Sequence, residues 1–142
     1  MRWSGVIPEG TTTSQVALNM DLTATLLAAA GAAPPRNRTL DGVDLTSVLT
    51  GKRAAFPRTV FWRYKRAENR RKAVREGDWK LVIDNGQEEL HNLAADELET
   101  NNLLAKEPPV AARLRRKLAD WETDVEAPRL RDFYKPRPAG EG

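Results

Sequence analysis

There is no cysteine among the 142 residues. That excludes disulfides, thiolate metal sites and a cysteine nucleophile within this chain. Histidine is nearly as scarce, with His91 alone, so a Ser-His-Asp triad could draw on only one base. The serines are Ser4, Ser14 and Ser47, and none lies in G-x-S-x-G. No H-E-x-x-H, calcium-loop or glycine-rich phosphate motif occurs. No apolar run reaches the length of a membrane span. The start, MRWSGVIPEG, has no apolar core behind a basic residue, and so does not read as a secretory signal.

What is present is mostly ordinary soluble composition, 40% hydrophobic and 30% charged. The net charge of +3 conceals a local excess. Seven basic residues (Arg63, Lys65, Arg66, Arg70, Arg71, Lys72, Arg75) stand against Glu68 between positions 63 and 75. One reading is a solvated strand pair with its loop. The other is an anion-binding lip, with Arg63, Arg70 or Arg71 gripping an oxyanion in bidentate fashion. Trp62 and Tyr64 interleave with this charge as in single-strand nucleic-acid binders. Trp62, however, lies in an apolar run expected to face a core, and nucleic acid is the less favoured partner.

Punctuation divides the chain near TGKRAAFPR. The first part predicts a helix over Leu22–Ala30, capped by Asp21 and stopped by Gly31. Its body, LTATLLAAA, has no charge and almost no polar face, so it predicts burial on nearly all sides against a larger surface. LDGVDLTSVLTG predicts a turn at Asp41-Gly42 and a short helix over 45–49, capped by Asp44.

The second part predicts four strands: TVFWRY over 59–64, KAVRE, WKLVI and EELHNL. His91 would be a half-buried strand residue. Val110, Leu114, Leu118, Trp121 and Val125 recur at helical spacing behind Pro108 and Pro109, predicting one apolar stripe laid on the sheet. Arg113, Arg115, Arg116 and Lys117 flank that stripe and point largely to solvent. Asp84-Asn85-Gly86, between two strands, could offer oxygen ligands to a hard cation. Asn-Gly is also a strong hairpin signal, because both residues tolerate positive φ, and the turn is favoured.

The order of segments resembles the C-terminal portion of the sulfatase family. RWSGVIPEG followed by DLTATLLAAAGA is similar to the family's R-W-P-G-x-I-x-x-G and D-L-x-P-T-L-L helix. LDGVDLTSVLTG, AVREGDWKLV and ELHNLAADELETNNLL are similar to its L-D-G-x-S-L-x-x-L-x-G, A-V-R-x-x-x-W-K-L and E-L-Y-D-L-x-x-D-P-x-E-x-x-N-L. Ser4, Ala24 and Glu97 stand where proline is usual, and His91 where tyrosine is usual.

The resemblance implies a hydrolase of sulfate esters or sulfamates. Its nucleophile is a formylglycine made from a C/S-x-P-x-R motif, and its calcium is held by Asp and Asn groups. Neither motif is in this chain: no serine has proline two residues on, and Asp84-Asn85-Gly86 follows the R-W-P-G-like segment by about eighty residues instead of preceding it. No catalytic or metal residue is therefore assigned, and the chain is expected to be inactive alone.

The implied fold is α+β, a small antiparallel sheet of about four strands packed by a C-terminal helix. Helical remnants of a larger alkaline-phosphatase-like α/β domain precede it. The expected divisions are 1–51 for the end of the catalytic domain, 56–130 for the C-terminal subdomain and 131–142 for a flexible tail. The implied partners are an N-terminal sulfatase portion and a sulfated small molecule or glycan. Arg63, Tyr64, Arg70 and Arg71 are the substrate-binding candidates. The rival reading is a stand-alone interaction or anion-binding module.

Overall fold

A computed structural model describes residues 1–126 except 35, 37, 38 and 67. The expected tail, 131–142, lies outside the described residues. The chain divides into two units, Met1–Arg58 and Thr59–Gly142.

In the first unit, helix α1 spans Asn19–Ala29 and helix α2 spans Thr46–Leu49. The helix starts three residues earlier than expected, and Asp21 is not its cap. Asp21 sits at the third helical position and accepts the N–H of Leu18, the capping residue, at 2.6 Å. It thus satisfies a donor from inside the first turn, the returning half of a capping box. Gly31 does close the helix, at φ +64. Helix α2 starts one residue later than expected and Leu45, not Asp44, is its capping residue, but Asp44 still accepts the N–H of Thr46 at 2.8 Å from one position further out.

Asp21 also accepts from the Val43 N–H at 2.9 Å and from Arg58 at 2.5 and 3.0 Å. A fully buried carboxylate therefore ties α1 to the 41–44 segment and to the end of the unit. Gly42 sits in a bend, and its need for glycine lies in close approach. A Cβ there would stand 2.2 Å from the Met20 carbonyl oxygen. The cover expected for α1 from a larger surface is not supplied within this unit. Ala24 and Thr25 are buried, while Met20, Leu22 and Leu26 are exposed.

In the second unit, strands β1 (Thr59–Arg66), β2 (Asn69–Glu76), β3 (Trp79–Asp84) and β4 (Gln87–Asn92) form one antiparallel sheet in sequence order, followed by helix α3 (Pro108–Glu126). Short turns dictate this meander. Gly77 turns at φ +59, and Asn85-Gly86 turns at φ +49 and +89, the paired positive values of a tight hairpin. The sheet face toward α3 carries Val74, Leu81 and Leu90, which pack with Ala111, Leu114 and Leu118 in a core at or near zero exposure. Each such leucine contributes roughly 1.5–3 kcal/mol of transfer free energy before entropy costs. Phe61 stacks on Trp121 with ring centroids 5.1 Å apart.

The helical stripe is as expected from Val110 to Trp121, with Ala111 added to it, while the half-buried Val125 stands outside the core cluster. Its flanking cations are paired more than expected. Arg113 and Lys117 both bind Glu76, and Arg115 binds Glu88. Trp62 departs from expectation. It is 40% exposed, because strand alternation gives the core-facing place to Phe61.

A candidate anion-binding hollow on the first hairpin

The basic run folds almost wholly into strand, not loop. In register, Arg63 faces Lys72, Tyr64 faces Arg71 and Lys65 faces Arg70, so antiparallel pairing brings distant cations side by side. All four candidates, Arg63, Tyr64, Arg70 and Arg71, line one hollow of about 460 Å³. Lys65 and Lys72 join them, and Glu88 and Glu122 are the acids of the lining.

The turn after β3 supports this hollow. The Asn85 N–H donates to the Arg70 carbonyl at 2.8 Å, and the Arg70 N–H donates to Asn85 Oδ1 at 2.9 Å. The asparagine side chain thereby replaces a backbone carbonyl and extends the β2–β3 ladder by one residue. The Arg63 guanidinium lies 5.8 Å from the centre of the Trp121 ring, within cation–π range. Arg71 meets Asp84 at 2.9 Å and Lys72 meets Glu122 at 2.7 Å. Five cations against two carboxylates leave the lining a positive excess, suited to an oxyanion. No serine or histidine is among the lining residues, so the hollow can hold charge but offers no hydroxyl–imidazole pair for nucleophilic attack.

His91 lies elsewhere, opposite Lys80 in the sheet and away from the turn. It is more buried than expected, at 2% exposure. Its Nδ1 stands 3.1 Å from the Asn101 carbonyl, which can only accept, so that nitrogen carries the proton. The side chain fastens β4 to the segment that follows it.

The calcium implied by the family resemblance does not fit the residues present. Asp84 is engaged by Arg71 and by the Asn85 side-chain N–H at 3.1 Å, and Asn85 Oδ1 is occupied by the Arg70 backbone. Oxygen ligands already committed to cations and to a ladder are not a divalent-cation cage. Among the described residues there is no group of three or more His, Asp or Glu that could hold a metal ion. Nor is any described helix long and apolar enough to cross a membrane.

The chain is 39% identical to arylsulfatase G of Rattus norvegicus over 59 residues, or 42% of this chain and 11% of that protein. It is 45% identical to N-acetylgalactosamine-6-sulfatase of Canis lupus familiaris over 49 residues, or 34% of this chain and 9% of that protein. Among solved structures, Ps i-CgsB in complex with k-i-k-neocarrahexaose superposes with a TM-score of 0.78 at 23% identity, over 90% of this chain and 29% of that one. A 2-O GAG sulfatase superposes with a TM-score of 0.60 at 25% identity, over 81% of this chain and 26% of that one. The chain thus spans about a tenth of the curated relatives it matches and under a third of these solved chains. The family described as N-sulphoglucosamine sulphohydrolase, C-terminal, matches residues 1–124, which run from the first loop through nearly all of α3. The chain belongs to that sulfatase C-terminal family.

Proposed function

We propose that this chain is the C-terminal module of a sulfuric ester hydrolase and that it completes an active site without supplying its reacting groups. The family match through residues 1–124, in a sequence with no C/S-x-P-x-R motif, carries this reading. In it, residues 1–51 close a larger α/β catalytic domain, and residues 56–130 form the C-terminal subdomain. The nucleophile and the calcium belong to an N-terminal sulfatase portion, acting in cis or in trans. The exposed apolar face of α1, with Trp3, Leu22 and Leu26 around a hollow of about 450 Å³, supports a packing surface for that portion.

Arg63, Tyr64, Arg70 and Arg71 would then contact the sulfated substrate. Guanidinium groups recognise sulfate oxygens through parallel N–H donors, and Tyr64 adds a hydroxyl and a ring face. The names of the relatives, an N-acetylgalactosamine-6-sulfatase and a 2-O GAG sulfatase, favour a sulfated glycan as substrate.

The test is turnover of an aryl sulfate by the purified chain, with and without calcium, and again after co-expression with an N-terminal sulfatase portion. The expected result is no hydrolysis by the chain alone and calcium-dependent hydrolysis by the combination. Robust calcium-dependent turnover by the chain alone would sink the proposal.

A further inference from the structure

The sheet has a second face, and it carries a different chemistry. Side chains alternate across strands, so the core row Phe61–Val74–Leu81–Leu90 leaves the row Trp62–Ala73–Val82–Glu89 on the side away from α3. On that side Trp62 is 40% and Tyr64 50% exposed. They lie two residues apart on one strand, roughly 7 Å along it. The small side chains of Ala73 and Val82 form the floor of a shallow hollow of about 300 Å³ beside them. Arg71 and Lys80 stand at its rim, and no carboxylate lines it.

Two exposed aromatic residues over a small-residue floor need a ligand with a flat apolar face. Cations at the rim need one with anionic substituents. Sulfated pyranose rings have both. Arg71 is held by Asp84, and Lys80 by Glu99 at 2.6 Å. The Arg71–Asp84 pair is largely exposed, and such pairs yield readily to a competing anion. Tyr64 and Arg71 line both this hollow and the cationic one, so the two surfaces are continuous.

We propose that the face of the sheet away from α3 is a stacking subsite for a sulfated oligosaccharide, with sugar rings on Trp62 and Tyr64 and sulfate groups at Arg71 and Lys80. A chain seated with one sulfate in the cationic hollow would continue onto this face. The inference rests on the sulfatase reading and adds to it a binding site outside the reacting centre. Single-stranded nucleic acid uses similar stacking, but it draws most of its affinity from phosphate neutralisation. Here two cations stand at the rim of the aromatic hollow, fewer than the row of phosphate contacts such binding draws on.

The experiment titrates the full chain with a carrageenan hexasaccharide, read by tryptophan fluorescence and calorimetry. Inorganic sulfate and a thymidine oligonucleotide serve as comparison probes. The hexasaccharide is expected to quench tryptophan emission. Trp62→Ala should weaken its binding about tenfold, and Trp62→Phe should restore most of the loss. Sulfate binding should be unchanged in Trp62→Ala and lost in Arg70→Ala.

Equal hexasaccharide affinity in the wild type and Trp62→Ala overturns the subsite while leaving the sulfatase reading intact. Absence of hexasaccharide binding, or tighter binding of the oligonucleotide at the same salt, overturns it too. Failure of the proposed function shows separately, as calcium-dependent turnover of aryl sulfate by the chain alone or no turnover by its combination with an N-terminal sulfatase portion.

Discussion

Asp21 has the most demanding environment in the first unit. Burial pushes its carboxyl toward the neutral form, but the Arg58 hydrogen bond, the N–H groups of Leu18 and Val43, and the Arg58 charge together hold its pKa below the usual value. A carboxylate with a depressed folded pKa contributes stability that is present above its unfolded pKa, about 3.9, and is lost as pH falls through the folded value. Melting of the wild type should therefore fall steeply below about pH 4, and Asp21→Asn should flatten that part of the profile. Parallel profiles would show that Asp21 does not set the acid limit. At neutral pH, Asp21→Ala should cost about 3–5 kcal/mol in denaturant titration, because it leaves Arg58 nearly buried without its partner. Asp21 was legible as a residue for the start of a helix. Its role as a three-way clamp was not, because Val43 and Arg58 reach it only through tertiary contact.

Helix α3 and the sheet were the most legible elements, since heptad-like spacing and strand alternation are local signals. Leu114 lies at zero exposure between Val74, Leu81 and Leu90. Leu114→Ala should cost about 2–5 kcal/mol by chemical denaturation, and a loss under about 1 kcal/mol would mean that the helix is not seated on the sheet as described. Glu76 differs in kind. The hydrogen bond from Lys117 lowers its pKa, burial opposes this, and Arg113 adds to the lowering. Its partners are 40% and 50% exposed, so solvent screens much of that interaction. Glu76→Gln should change the chemical midpoint far less than Leu114→Ala. The basic run was the element least legible in advance. Its charges left a solvated strand pair with its loop and an anion-binding lip both open, and hairpin register puts Arg63 opposite Lys72 and Tyr64 opposite Arg71.

Taken as a molecule, the chain presents an apolar surface that a free-standing domain rarely keeps. Leu26 is 63% exposed and Leu22 44%, on a helix with no basic residue and Asp21 as its acid. The lone chain should self-associate in a concentration-dependent way, and Leu26→Glu should shift it toward monomer in sedimentation velocity without lowering the melting temperature. A monodisperse wild-type monomer at all concentrations would instead favour a stand-alone module over a sulfatase piece. The uncharged segment LTATLLAAA announced this surface, since a helix without a polar face must find cover.

The amino-acid order alone established the family, through a series of weak segments in the right succession, and it established the meander, through Asn85-Gly86, Gly77 and the apolar periods. It also showed that the family's C/S-x-P-x-R nucleophile motif is absent from these 142 residues, since a missing motif is a property of sequence. Only folding decided which side chains share a surface. Whether Trp62 meets the core or solvent depends on strand phase, and one residue of slip would exchange it with Phe61. Whether Asp84-Asn85 is a ligand pair or a turn depends on Arg70 and Arg71, which antiparallel pairing brings against it from fourteen or so positions away. Local chemistry sets the elements; the convergence of charges into one hollow and of aromatics onto one face comes from register and packing, which no short stretch contains.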